Sequence, residues 1–366
     1  MKKMLKKIIF PILAALFVFI LVNNDAFLYH LPVGKIIAVR TISKEDVTDN
    51  FKNEDRQITQ KLTVKLLNRN NERVTLENSV VQSQTTGQLY RKNEQIILQK
   101  TSGNWQIQTL KRDALILSLF TLFIGFLLSF IRLRASLLLL LSLLLNLIYF
   151  VIVIAFNVQF NPPVIALFAL LSVIFAGSSL LFVLGRTRQM LFTFLTTVLT
   201  TAITFVVTFV VLHFTGNAGV HFEYLNYVTQ NPSQFFFVGA MVSVLGAIMD
   251  GTGDIVAGLF GLYRQNQLNH FEMSYRNYVL SGISIGQEII GTLTNVLFMI
   301  FMAEAFPMTL LLLRNGNTWG YIATVGLNLG LLQTVISAIG IVLAVPVTAF
   351  VTSLVLVNHH QEEVKS

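Results

Sequence analysis

The chain has 366 residues, 54% of them hydrophobic and 12% charged, with a mean hydropathy of +0.67, which is too apolar for a soluble globule. Runs of about 20 apolar residues, the length that crosses a hydrocarbon core, recur along it and indicate a polytopic helical membrane protein with about eight transmembrane helices. The absence of cysteine excludes disulfides, thiolate metal sites and cysteine nucleophiles, and the formal charge of +8 does not indicate nucleic acid, because much of the basic charge lies in short loops beside apolar runs and the rest is mixed with acids in one soluble segment.

The N-terminus sets Lys2, Lys3, Lys6 and Lys7 before the apolar run Ile8–Val22. That is the start of a signal sequence, but no small-x-small cleavage site follows before Leu28. Residues 1–28 therefore read as an uncleaved transmembrane anchor with its lysines in the cytoplasm.

Residues 29–112 have the composition of a soluble domain. Alternating runs at Gly34–Thr41, Gln57–Leu67, Arg73–Glu77, Gln95–Lys100 and Trp105–Leu110 predict five short strands. Asn68-Arg69-Asn70-Asn71 and Ser102-Gly103-Asn104 are turn material, and the polar stretch Asp46–Arg56 predicts a loop. Five strands of this size suggest a small OB-like barrel, although an open sheet leaves the same trace. The anchor places this domain outside the cell.

Residues 113–358 predict seven further spans, at Ala114–Ile131, Ala135–Phe156, Val164–Leu184, Met190–Phe214, Phe235–Leu262, Ile283–Ala303 and Thr334–Val357, with 359–366 as a tail. Arg132, Arg134, Arg186, Arg188, Arg264 and Arg276 fall in alternate loops, on the same side as the N-terminal lysines. Arg314 is the basic residue of the opposite short loops. A positive inside then gives a multi-pass plasma-membrane protein with both termini cytoplasmic. Glu304–Leu313, which contains Pro307, reads as an extension of the seventh span or a short re-entrant piece. Tyr321–Leu332 reads as an interfacial helix in preference to the start of an overlong eighth span.

The polar content of the spans is uneven. The fifth carries Thr193, Thr197, Thr200, Thr204 and Thr208 on one helical face. The sixth carries the small residues Gly239, Ser243, Gly246, Gly253 and Ala257, and the seventh Gly282, Gly286 and Gly291, spacing that lets helices approach closely. Ser337, Gly340 and Ala344 continue the pattern on the eighth, ahead of Pro346. Asp250, Asp254 and Glu288 lie within the sixth and seventh runs, with Thr292 and Asn295 near one face beyond Glu288. An acid in a span costs a few kcal/mol on insertion scales and normally faces a bundle interior or a water-filled cavity. The bland readings are protonated acids hydrogen-bonded between helices, or acids wetted near the membrane surface. Gly251 and Gly253 could also break the sixth helix there.

Three segments resemble the YibE/F family of bacterial multi-span membrane proteins. Ser281-Gly282-Ile283-Ser284-Ile285-Gly286-Gln287-Glu288-Ile289-Ile290-Gly291-Thr292-Leu293-Thr294-Asn295 is similar to its S-G-x-x-I-G-[RK]-D-I-[MI]-G-T-[ML]-[TA]-N motif. Gly246-Ala247-Ile248-Met249-Asp250 and Ile339-Gly340-Ile341-Val342-Leu343-Ala344-Val345-Pro346 resemble its G-A-x-x-D and I-G-x-x-L-[AT]-x-P motifs. Gln287 stands where the family usually has a base, Glu288 where it has Asp, and Asp254 where a small or hydroxyl residue is common. The resemblance implies a permease-like membrane protein without an established activity, and a related membrane subunit as a partner.

Other chemistries have little support. Gly251-Thr252-Gly253-Asp254 spells the G-x-G-D of presenilin-type proteases, but their chemistry needs a second, facing aspartate, and no other span has a central one. His213, His221 and Glu223 could meet a metal but suit a surface better. No phosphate loop, metalloprotease motif or serine elbow occurs. The expectation is therefore a non-enzymatic protein without a cofactor that moves or senses a small solute or ion through Asp250, Asp254, Glu288, Thr292 and Asn295. The alternative is a membrane scaffold whose outer domain recruits a partner. Besides the lipid bilayer, a related subunit or a second copy of the chain is the expected partner.

Overall fold

In the computed structural model, the described residues are all but 1, 51, 70, 86, 102, 226–230, 270, 272 and 366. Asn70 and Ser102, of the two expected turns, thus lie outside them. Eight helices among the described residues are long and apolar enough to cross a membrane. The chain divides into two compact units, residues 1–137 and 138–366.

In the first unit, helix α1 (Lys2–Asn23) packs along α2 (Asp113–Phe130). The contact is close at Gly125, where an added Cβ would stand 2.9 Å from the Cβ of Pro11. Between these helices in sequence lie β1 (Val33–Thr48), β2 (Glu54–Leu66), β3 (Arg73–Val81), β4 (Gln95–Thr101) and β5 (Asn104–Leu110). All the strand pairs are antiparallel, in the order β3-β2-β1-β4-β5. Inward positions alternate along β2, so that Ile58, Leu62, Val64 and Leu66 are buried with Ile36, Val74, Leu76, Ile96 and Leu98. Gln60 is the polar residue in that row. Its amide donates to the carbonyl of Tyr90 at 3.0 Å and accepts from the Tyr90 N–H at 3.0 Å.

This sheet corrects the expected OB-like barrel, because it is open. Closure would need a ladder between its outer strands, and among the described residues none joins β3 to β5. The cause lies in β1, which pairs with β2 along its length but with β4 only over Val33–Lys35. A barrel needs staggered pairing carried round both sides of every strand. Asp46–Arg56 is also not a simple loop. The ladder continues through Asp46↔Arg56, Val47↔Asp55 and Thr48↔Glu54. An ion pair of 2.7 Å between Arg56 and Asp46 sits on this hairpin.

A buried ionic cluster lies between the end of the sheet and the two helices. The Lys111 ammonium is within 2.8 Å of Asp25 and 3.0 Å of Asp113, and its side chain is 2% exposed. It also donates to the carbonyl of Val22 at 2.6 Å and lies over the Tyr29 ring. The Tyr29 hydroxyl donates to Asp113. Burial, then the bond to Asp113, pushes the ionisation of Tyr29 well above the ordinary phenol range.

The second unit is helical. Its elements are α3 (Leu133–Phe160, entering from the first unit), α4 (Val164–Leu184), α5 (Arg188–Phe214), α6 (Pro232–Leu268) and α7 (Tyr275–Arg314). A single turn α8 (Trp319–Tyr321) and a π-helical segment Ile322–Leu327 then lead into α9 (Asn328–Lys365). In place of a separate interfacial helix, Tyr321–Leu332 thus belongs to the helical run that continues as the eighth long helix. Glu304–Leu313 extends the seventh: α7 runs unbroken through Pro307 for 40 residues, about 60 Å at ~1.5 Å per residue. Helix α6 is likewise continuous through Gly251 and Gly253.

Helix α6 is central to this unit, packing against α4, α5, α7 and α9. The threonine face of α5 is buried. Thr193, Thr196, Thr201, Thr204 and Thr208 each donate to the carbonyl one turn back, while Thr197 bonds Thr252 of α6 at 2.7 Å. That pattern satisfies these hydroxyls inside a helix bundle without water, whereas the buried hydroxyl of Thr200 on the same face has no hydrogen-bond partner among the described residues.

Candidate functional site

Helices α6 and α7 run antiparallel, and their contact fixes which residues stand level. A Cβ added at Gly258 would come within 2.7 Å of Ile285, and one at Gly251 within 3.7 Å of Leu293 and 3.8 Å of Ile289. Asp254 lies between Gly251 and Gly258, and Glu288 between Ile285 and Ile289, so the two acids share one height along the pair. Asp250 and Thr292 share the next. Asp250, Asp254, Glu288, Thr292 and Asn295 are all exposed on the single chain. Among the described residues no ion pair or side-chain hydrogen bond ties down these carboxylates. The Thr292 hydroxyl stays local, donating to the carbonyls of Glu288 and Ile289 at 3.3 and 3.1 Å.

The glycines fall into two groups. Gly282 and Gly286 face α9: an added Cβ at Gly282 would lie 2.9 Å from the Cβ of Ala349, and one at Gly286 would overlap the Val345 side chain. Gly340 of α9 in turn lies against Ile248 and Val244 of α6. The segments Gly246–Asp250, Ser281–Asn295 and Ile339–Pro346 therefore meet in one junction of α6, α7 and α9. Gly239, Gly246 and Gly291 differ, since an added Cβ at each meets nothing within 4 Å. They lie on the same helices as the exposed acids and leave those surfaces free of bulk.

The family model described as YibE/F-like protein matches residues 119–358, and that of the YibE/F family N-terminal domain matches residues 27–111. The chain belongs to the YibE/F family. No curated protein and no solved structure matches it. This YibE/F protein is thus a polytopic membrane protein whose family motifs form a helix junction, beside an exposed acidic face.

Two other clusters complete the polar inventory. His221 Nδ1 and Glu223 Oε1 are 2.8 Å apart, beyond the end of α5. The backbone N–H of Glu223 and then His221 hold its carboxyl below the usual range. Among the described residues no group of His, Cys, Asp and Glu side chains is arranged to hold a metal ion. A cavity of about 120 Å³ between α6, α7 and α9 is lined by Ser243, Glu304, Gln333, Thr334 and Ser337. Glu304 is not among the candidates from sequence, because the apolar run ends at Ala303 and Pro307 follows, which leaves Glu304–Leu313 as an extension of the seventh span or a short re-entrant piece. Its only sequence signal was an acid without a neighbouring base in Glu304–Leu313.

Proposed function

We propose that this YibE/F protein is a permease-like, non-enzymatic protein of the plasma membrane that moves or senses a small solute or ion. Its polar centre consists of Asp250, Asp254 and Glu288, with Thr292 and Asn295 as neutral ligands. A second membrane subunit, either a related YibE/F chain or another copy, covers that centre. The supporting observation is the exposure of three carboxylates, Asp254 level with Glu288 and Asp250 one turn along, on helices of membrane-crossing length. Facing lipid, each would cost a few kcal/mol, so the face calls for a protein or aqueous neighbour. The arginine distribution supports cytoplasmic termini with residues 29–112 outside. In that orientation a cysteine at Asn217 labels from outside intact cells and one at Arg188 does not; external labelling at Arg188 would reverse the assignment.

The deciding experiment replaces the acids with their amides, Asp250→Asn and Glu288→Gln, in protein reconstituted into vesicles. Ion and solute fluxes are measured with and without a pH gradient, beside the melting temperature in detergent. In a polar centre, each amide abolishes flux while leaving the amount of folded protein unchanged, and Glu288→Asp is milder. Amides that only replace interhelical contacts would alter stability by about 0.6 kcal/mol on average. Full flux in the double amide variant would remove the carboxylates from the mechanism and leave a scaffold as the better reading.

A further inference from the structure

We infer that the cavity between α6, α7 and α9 is a binding site for a small monovalent cation of sodium size. It goes beyond the acidic face of α6 and α7 and uses none of its residues. The polar lining consists of oxygen-bearing groups from three helices: Ser243 of α6, Glu304 of α7, and Gln333, Thr334 and Ser337 of α9. No basic side chain lines it. Two of the hydroxyls have already committed their protons. Thr334 donates to the carbonyl of Gly330 at 2.8 Å and Ser337 to that of Gln333 at 3.0 Å. With the protons turned back into the helix, each oxygen offers only lone pairs to the cavity. Thr334 and Ser337 are 8% and 1% exposed, so the helix bundle shields these two acceptors.

Size and charge narrow the ligand. At about 120 Å³ the cavity falls well below the ~300 Å³ at which pockets for organic ligands begin. It has room for a few waters, at roughly 30 Å³ each, or for one partly dehydrated ion. Hard oxygen donors suit alkali and alkaline-earth cations better than soft metals. Glu304 is the single acid of the lining, and one carboxylate balances one positive charge. Calcium sites, in contrast, gather 6–8 oxygens, several of them from carboxylates. Gly330 keeps the cavity open: an added Cβ there would come within 2.8 Å of the ring of Phe301, which forms part of the wall.

The test uses the full-length protein in detergent, with 22Na+ binding at equilibrium and thermal melting as readouts. Melting in sodium chloride is compared with melting in N-methyl-D-glucamine chloride at equal ionic strength, a cation too large for the cavity. Sodium is expected to raise the melting temperature saturably and to bind once per chain. Outer-shell changes at metal sites cost about 10–100-fold in affinity. Glu304→Gln, which removes the only charged ligand, should lose at least about tenfold while melting like the parent in N-methyl-D-glucamine. If that variant does not fold, Ser337→Ala carries the test, with a smaller loss of affinity. Equal melting of the parent in both salts, or an undiminished sodium response in the folded variant, would overturn the site. The readout is binding, so its failure leaves the flux experiment on the α6–α7 acids untouched, and the reverse holds too.

Discussion

Lys111→Met is expected to destabilise the first unit by about 3 kcal/mol, or to prevent its folding, because removing one partner of a buried ion pair costs about 3–5 kcal/mol. The estimate sits at the low end because Asp25 and Asp113 keep 18% and 26% of their side chains exposed and can recover some hydration. Met preserves most of the apolar stem, so the loss is mainly electrostatic. Three contacts fail together: both carboxylates lose their cation, and the carbonyl of Val22 loses its donor. The cluster ties the end of α1, the end of β5 and the start of α2, so its loss should loosen all three. Melting of the full-length protein, followed by circular dichroism, measures this. Arg56→Ala is the matched control. It breaks an ion pair whose side chains are 49% and 79% exposed and should not shift the transition measurably. Equal behaviour of the two variants would mean that the Lys111 cluster contributes no more than a surface pair.

How much of this was legible in the sequence depends on how local each feature is. The spans follow from hydropathy, since one apolar run of sufficient length is its own signal. The five strands follow from alternation, as at Ile58, Leu62, Val64 and Leu66. Closure of the sheet does not, because it needs the outer strands β3 and β5 to pair, and the β1–β4 ladder that would carry them round stops after Lys35. Asp46–Arg56 misled for another reason. Its strand residues are charged on both faces, so no apolar alternation marks them, and the hairpin is held by its backbone ladder, as at Asp46 opposite Arg56. Glu304 was hidden by Pro307, which ends helices in water but is tolerated where neighbouring helices support the backbone. The acids were visible at once as costly residues. Which way they point was not, since periodicity gives a face and only the contacts of α6 and α7 say what that face meets.

Gly286→Leu should separate α7 from α9 and lower stability by about 3 kcal/mol, at the upper end of the usual cost of overpacking. Even a methyl group at this position would overlap the side chain of Val345, and the Val345 Cβ would lie 2.9 Å away, so rotation of that side chain cannot clear the space. The helix itself favours the change, since glycine in a helix interior is about 1 kcal/mol worse than alanine. Gly286→Ala therefore reports the clash minus that gain and should be the milder variant. Val345→Ala, which removes two of the overlapping atoms, should recover part of the loss when combined with Gly286→Ala; the coupling appears in a double-mutant cycle. Gly291 provides the contrast on the same helix, five residues on. An added Cβ there meets nothing within 4 Å, so Gly291→Ala should leave the single chain as stable as before or slightly more so. The larger Gly291→Leu then separates fold from assembly. Beside a second subunit, it should disrupt the complex on a sizing column while the melting of the separated chain stays close to that of the parent. A complex that survives Gly291→Leu intact would mean that the face bearing Glu288, Thr292 and Asn295 does not lie against another subunit.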